Sequence, residues 1–312
     1  MLPMQHEKIT TRGVRGMILA ELETGSAAWV GQLAMQVGSD QAVEEYAWLG
    51  TAPAMREFLD GRSPAELKEN SFTISNKDYE GSITIKSKDM RRDKLGMIRV
   101  RVAQLSQRAM DHPANLLSTL IMAGESTTCY DGQFFFDTDH AEGDSGTQSN
   151  DIGHTVVSST APTADEFAEG ILKAIQAMYG IKDDRGEPMN QSANEFTVMV
   201  PTSLMSPALK AVNILLGEGG KTAALAALKG EFTINIVINP RLTWTTKFAV
   251  FRTDNAAKAF ILQEEGEPDV ISLGEGSEYE QLNKEQLFGI DWSGNVGYGY
   301  WQFACLVTMS DA

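Results

Sequence analysis

Leu95, Ile98, Val102, Leu105 and Ala109 recur at intervals of three and four residues. That spacing marks one face of an α-helix and predicts a long amphipathic helix over about residues 94–110. Asp111-His112-Pro113 then offers a cap and an early proline for a second helix, which carries Leu116, Leu117, Leu120 and Ile121 and stops at Gly124. Upstream, Phe72–Asn76 and Gly81–Lys86 read as strands, with Ile83 and Ile85 alternating against Thr84 and Lys86. Cys129–Phe136 reads as a hairpin turning at Asp131-Gly132. Residues 1–28 are polar with glycine breaks and read as an arm outside the core, and residues 137–162 as a polar connector.

Residues 163–252 have the pattern of a separate α/β unit. Thr163-Ala164-Asp165-Glu166 is a capping box, and the helix it opens would bury Phe167, Ile171, Ile175 and Met178 before Gly180. Strands follow at Glu195–Val200, Glu231–Ile238, Lys247–Arg252 and Lys258–Gln263, with a helix from Thr202 to about Leu216 among them. Val296–Thr308 alternates with both rows largely apolar, as a strand covered on both faces does. Its expected partners lie near residues 72–86, which makes the first domain discontinuous, with residues 163–260 inserted into it.

Residues 46–80 break this regularity. They are loop-like, yet they carry Tyr46, Trp48, Phe58, Phe72 and Tyr79, and Ser63-Pro64-Ala65-Glu66 inside them reads as a short helix start. A loop so rich in large apolar groups either folds back on its own core or marks an interaction site.

Charge narrows the function. The 312 residues hold 26 Lys and Arg against 42 Asp and Glu, a net charge of −16. Nucleic-acid affinity rests on clustered cations, so the chain reads as a poor non-specific nucleic-acid binder and a poor ligand for anionic membranes. No stretch approaches the roughly 18 apolar residues of a membrane span. The short apolar patch at Met17–Leu19 is followed by acids and makes no secretory signal. Two cysteines, Cys129 and Cys305, form neither a disulfide framework nor a four-cysteine zinc site, so the expected compartment is cytosolic. The charge is also polarised. Residues 86–108 hold eight cations and two acids, and residues 261–291 hold nine acids and one lysine. These are either two solvated faces or complementary patches on neighbouring copies.

Three motifs invite an enzymatic reading, and none carries it. Gly143-Asp144-Ser145-Gly146 matches a serine-protease nucleophile motif, but His6, His112 and His140 lack the context of its base. Leu215–Thr222 approximates a phosphate loop but has Leu215 where the pattern needs glycine, and it follows a helix. Asp137, Asp139, His140, Glu142 and His154 are a candidate metal cluster, but their spacing fits neither a calcium loop nor a zinc pair, so they read as a solvated loop. No catalytic, cofactor or metal residue is assigned, and the chain reads as one that assembles.

Five segments in order carry a resemblance: Tyr46-Ala47-Trp48-Leu49-Gly50, Phe72–Gly81, Cys129–Phe135, Phe260–Glu264 and Gly297–Gln302. Together they resemble the major head subunit of Mu-like phages over roughly residues 30–140 and 258–308. The resemblance implies an α+β, Hong Kong 97-like capsid fold with an N-terminal arm (1–28), an extended loop (46–80), a peripheral domain with a long spine helix (29–45, 81–162 and 261–312) and an axial domain (163–260). It also implies a non-enzymatic major capsid protein, without cofactor or membrane partner, made in the host bacterial cytoplasm and residing in the virion. Its copies would form hexamers and pentamers of an icosahedral shell around double-stranded DNA, with scaffold, portal and decoration proteins as further partners. Trp48, Phe58, Phe72 and Tyr79 would then be inter-subunit contacts. An encapsulin-like nanocompartment shares this fold, and a soluble hydrolase using Ser145 or the Asp137–His140 cluster is the rival from another class.

Overall fold

The computed structural model describes residues 11–22, 27–46, 72–92, 96–215 and 232–312. Its helices are α1 (Thr11–Leu22), α2 (Ala28–Leu33), α3 (Ser87–Met90), α4 (Met97–Met110), α5 (His112–Met122), α6 (Ala164–Gly180), α7 (Met205–Leu215) and α8 (Glu278–Asn283). Its strands are β1 (Ala34–Gly38), β2 (Val43–Tyr46), β3 (Phe72–Ser75), β4 (Lys77–Lys86), β5 (Asp151–Val156), β6 (Glu195–Val200), β7 (Thr233–Ile238), β8 (Lys247–Arg252), β9 (Phe260–Glu264), β10 (Asp269–Leu273), β11 (Glu285–Tyr298) and β12 (Ala304–Asp311).

The first sheet is built around β11, a fourteen-residue strand. Along one edge β11 pairs antiparallel with β9 and then with β10; along the other it pairs antiparallel with β4, from Glu285–Lys86 to Gly294–Lys77. β1 adds in parallel to β9. Strand alternation sends Ile83, Ile85, Val270, Phe288 and Ile290 to one face, where α4 covers them with Ile98, Val102 and Leu105. The predicted face of α4 is thus the buried one, and the helix begins at Met97, after Gly96 in the left-handed conformation (φ 66°).

Helix α1 closes this small core and corrects one expectation. Residues 1–28 were expected to form an arm, yet Val14 and Ile18 are fully buried within the cluster that α4 and β10 share. They stand four residues apart on one helical face, a pair that Gly13 and Gly16 disguise as a loop.

The second sheet runs β5-β12-β8-β6-β7. β6 and β8 are buried on both faces beyond their first residues, and Ala304–Val307 of β12 are fully buried. Helix α6 lies on this sheet with Phe167 against Phe248, ring centroids 4.4 Å apart. Its capping box is formed: Thr163 Oγ1 accepts from the Glu166 amide at 3.3 Å, and the Thr163 amide donates to Glu166 Oε2 at 2.8 Å.

Here the C-terminal reading needs correction. Val296–Thr308 is not one strand. A 3-10 turn at Trp301–Phe303 ends β11 and starts β12. Gly299 sits just before it, where a side chain would lie 2.6 Å from the Lys258 carbonyl. Nor do its partners lie at 72–86. β12 pairs in parallel with β5 and antiparallel with β8, and the strand that pairs with β4 is Glu285–Gly294, which overlaps the end of the acidic stretch. The connector at 137–162 likewise contains β5. The expected hairpin at Cys129–Phe136 keeps its turn, with Gly132 at φ 86°, but only a single bridge, Thr128 to Phe134, because adjacent Phe135 and Phe136 are both buried and cannot alternate.

Candidate functional site

The described residues at either end of the segment expected to be the extended loop belong to a two-stranded stem. β2 and β3 pair from Val43–Ser75 to Tyr46–Phe72. Buried Gln263 ties this stem to the first sheet. Its Oε1 accepts from Tyr46 Oη at 2.7 Å, and its Nε2 donates to Asn76 Oδ1 at 2.6 Å and to the Ile74 carbonyl at 3.3 Å. Burial, reinforced by the charge of Glu44, pushes the Tyr46 phenol up to about 12, so it stays a neutral donor. Gly297 of β11 lets the stem lie close: a side chain there would come within 2.3 Å of Ile74 Cδ1.

Of the four candidate contact residues, Trp48 and Phe58 lie outside the described residues. Phe72 is half-buried at the last stem pair, over Gly297. Tyr79 is half-buried in a different place, on β4, with ring centroids 4.2 Å from His112 and 5.7 Å from Trp292. Both lean in part on their own chain, and both keep surface in solvent. The start of the other predicted helix in this segment, Ser63, and most of the phosphate-loop-like stretch also lie outside the described residues.

Tyr79, His112 and Trp292 floor a groove of about 600 Å³ between β4 and α4, walled by Arg101, Gln104 and Arg108. Sequence reading missed this grouping, because Trp292 reaches Tyr79 only through the β4–β11 register. Burial and then the nearby charge of Arg241 lower the His112 pKa, which keeps the imidazole neutral against the aromatic rings.

The proposed metal cluster is not brought together. Asp137 caps its own turn, accepting from the amides of Phe134 and Thr138. His154 lies between the Glu166 carbonyl, 2.8 Å from its Nε2, and Lys173 Nζ, 3.0 Å from its Nδ1. Only His140 joins a donor set, with Cys129 and Asp131. His140 Nδ1 donates to Asp131 Oδ2 at 2.6 Å, and the Cys129 thiol to Oδ1 at 3.1 Å. Ligands on one tetrahedral zinc stand about 3.3–3.8 Å apart, given bonds of about 2.0–2.3 Å. The observed separations are hydrogen bonds, so the trio is a buried brace. Burial alone would raise the Asp131 pKa, but the bonds from His140 and Cys129 outweigh it and hold the carboxyl low. Burial, with Asp131 beside it, pushes the Cys129 thiol far up and leaves it unreactive.

Ser145 is a turn residue. Its hydroxyl accepts from the Glu142 amide and donates to the Gly146 carbonyl, both at 2.9 Å. Among the described residues no helix is long and apolar enough to cross a membrane.

The chain matches the family model of the Mu-like prophage major head subunit gpT over residues 12–162 and 227–310. It is 31% identical over 134 residues to the Mu-like prophage FluMu major head subunit of Haemophilus influenzae, a stretch covering 42% of this chain and 44% of that one. It is 32% identical over 109 residues to the major capsid protein of Escherichia phage Mu, covering 35% of this chain and 36% of that one. The matched stretches therefore span less than half the length of these curated relatives. Among solved structures, a subunit of the bacteriophage JBD30 procapsid superposes with a TM-score of 0.56 at 20% identity, over 96% of this chain and 75% of its own. The capsid of cyanophage P-SCSP1u gives 0.55 at 12% identity over 92% and 90% of the two chains, and the virus-like particle from Pyrococcus furiosus 0.52 at 11% over 95% and 98%. At these identities the likeness is one of fold.

Proposed function

The chain belongs to the Mu-like prophage major head subunit gpT family and has the α+β, Hong Kong 97-like fold of phage capsid subunits, and from this we propose that it is a major capsid protein whose copies build an icosahedral shell around phage double-stranded DNA. The family match over both ends of the chain is the observation that carries the reading.

In this reading residues 1–28 are the arm, with its α1 packed onto the core of its own subunit, 46–80 the extended loop, 29–45 with 81–162 and 261–312 the peripheral domain with α4 as spine helix, and 163–260 the axial domain, whose sheet β5 and β12 of the flanking segments complete. Trp48, Phe58, Phe72 and Tyr79 are the inter-subunit contacts. The half-exposed Phe72 and Tyr79 favour this, since each keeps apolar surface that a neighbour can cover. Hexamers and pentamers form by head-to-tail contacts that close into rings. Scaffold, portal and decoration proteins are further partners, and the particle is made in the host cytoplasm and ends in the virion. A net charge of −16 keeps packed DNA from adhering to the wall.

The test is expression of the full chain, followed by sedimentation and electron microscopy of the fast fraction. Capsomers, tubes or shells are expected, and a chain that stays a 34.0 kDa monomer even when its scaffold is co-expressed would overturn the reading. The alternative of an encapsulin-like nanocompartment is not favoured by the family match. Particles from infected or induced cells that hold protein cargo instead of DNA would establish it.

A further inference from the structure

On the face of the first sheet turned away from α4, three carboxylates stand in one cross-strand row. Asp269 is in register with Asp291, and Asp291 with Glu80. Asp78, Glu265 and Glu267 border the same shallow depression, and no lysine or arginine lines it among the described residues. Asp291 is half-exposed and the other five are exposed. Like charges directly opposite across strands repel, so this row destabilises the lone subunit. Two and four residues along β10 on the same face, Ile271 and Leu273 are 37% and 41% exposed. The face is therefore acidic at one end and apolar at the other.

The cations that would answer it sit on the other side of the sheet. α4 buries Ile98, Val102 and Leu105 against the inner face and leaves Arg101 and Arg108 exposed beyond it. Strand alternation places the carboxylate row on the opposite face. Glu80, at the β4 end of the row, also borders the groove that Arg101 and Arg108 wall, but Asp291 and Asp269 do not, so a second copy is what can present arginines to the whole row. The spacings agree as well. Arg101 and Arg108 are seven residues apart, about 10.5 Å along one helical face at about 1.5 Å per residue. The row from Asp269 to Glu80 spans two inter-strand steps, about 9.6 Å at about 4.8 Å each.

We propose that the Glu80–Asp291–Asp269 row is the docking surface for Arg101 and Arg108 on α4 of a second copy of this chain. The contact is head-to-tail, since donor and acceptor are different surfaces, and such contacts close into rings or extend. The inference rests on the self-assembly reading and names one contact within it.

The experiment compares the full chain with E80K/D291K, R101E/R108E and the quadruple variant, by sedimentation at low and high salt. Wild type should assemble, and less so at high salt. Each double reversal should cut the assembled fraction at least tenfold, and the quadruple variant, in which both surfaces change sign, should recover it. Folding is checked separately: D291K alone should raise the melting temperature of the subunit, because two repulsive pairs become attractive. A double reversal that assembles as wild type does would falsify this contact and leave the shell reading standing. Assembly lost in EDTA but intact in R101E/R108E would assign the row to a divalent cation and overturn the proposal. A wild type that never assembles, with its scaffold co-expressed, overturns both.

Discussion

The imidazole of His140 lies flat on the indole of Trp301, with ring centroids 3.9 Å apart and planes within 5° of parallel. His140 comes from the loop before β5, and Trp301 from the turn between β11 and β12. Asp131 fixes the imidazole from the third side. This stack and its hydrogen bond join the 131–140 segment to the distant turn at Trp301, at the junction of the two sheets.

Removing one partner of this buried pair should be costly. D131A leaves the His140 Nδ1 proton without an acceptor at a site where His140 is fully buried, and about 3–5 kcal/mol of stability should be lost. Urea unfolding at neutral pH measures it; a loss below about 1 kcal/mol would count against the brace.

The same carboxylate gives a pH signature. The folded pKa of Asp131 lies below its ordinary value of 3.8. Its contribution is therefore present above that value and lost as pH falls through the folded pKa. The stability difference between wild type and D131N should be level from pH 7 to about pH 5 and shrink below about pH 4. A difference that grows on acidification would show the sign to be wrong.

Gly143 should tolerate no side chain. It has φ 52°, and a Cβ there would stand 2.2 Å from the Asp184 carbonyl oxygen. G143A combines backbone strain with a collision against main chain, and a loss of about 2–4 kcal/mol is expected. S145A in the same turn removes only local hydrogen bonds and should cost about 1 kcal/mol. Thermal melts of the two variants compare them directly.

Arg252, 5% exposed, should behave as a buried charge with a full set of partners. Its guanidinium reaches Asp254, Asn190 and Ser192 and lies over the Phe303 ring. R252A should lose about 3–5 kcal/mol. R252K should recover only part of this, because an ammonium cannot serve that fork. A lysine variant as stable as wild type would show that charge alone matters there.

Much of this molecule is legible in its sequence where a single element decides the pattern. The α4 face, the Thr163 capping box and the β6 and β8 strands come from local spacing and propensity, and the structure places them within a few residues. What escapes is set by register and distant pairing. Glu285–Gly294 hides as a strand because glycines at 289 and 294 and acids at 285 and 291 interrupt its alternation, yet it is the spine of the first sheet. His140 looks like a partner of Asp137 and Asp139 because they are close in sequence, whereas Asp131 is the residue the turn delivers. The acidic and basic stretches are visible as charge, but only strand pairing shows three carboxylates aligned in one row.

The placement of β12 bears on how the chain is made. β12 lies between β5 and β8, with both of its edges paired to strands that precede it. As the polypeptide leaves the ribosome, β5, β6, β7 and β8 emerge first and must wait for residues 304–311. Until those residues arrive, the facing edges of β5 and β8 stay open, and the apolar row meant for β12 has nothing beside it. This is a long-range closure of the slow kind, with unpaired strand edges exposed to other chains in the interval. Synthesis of this subunit therefore passes through a window in which it is most prone to aggregate, and arrival of β12 closes that window.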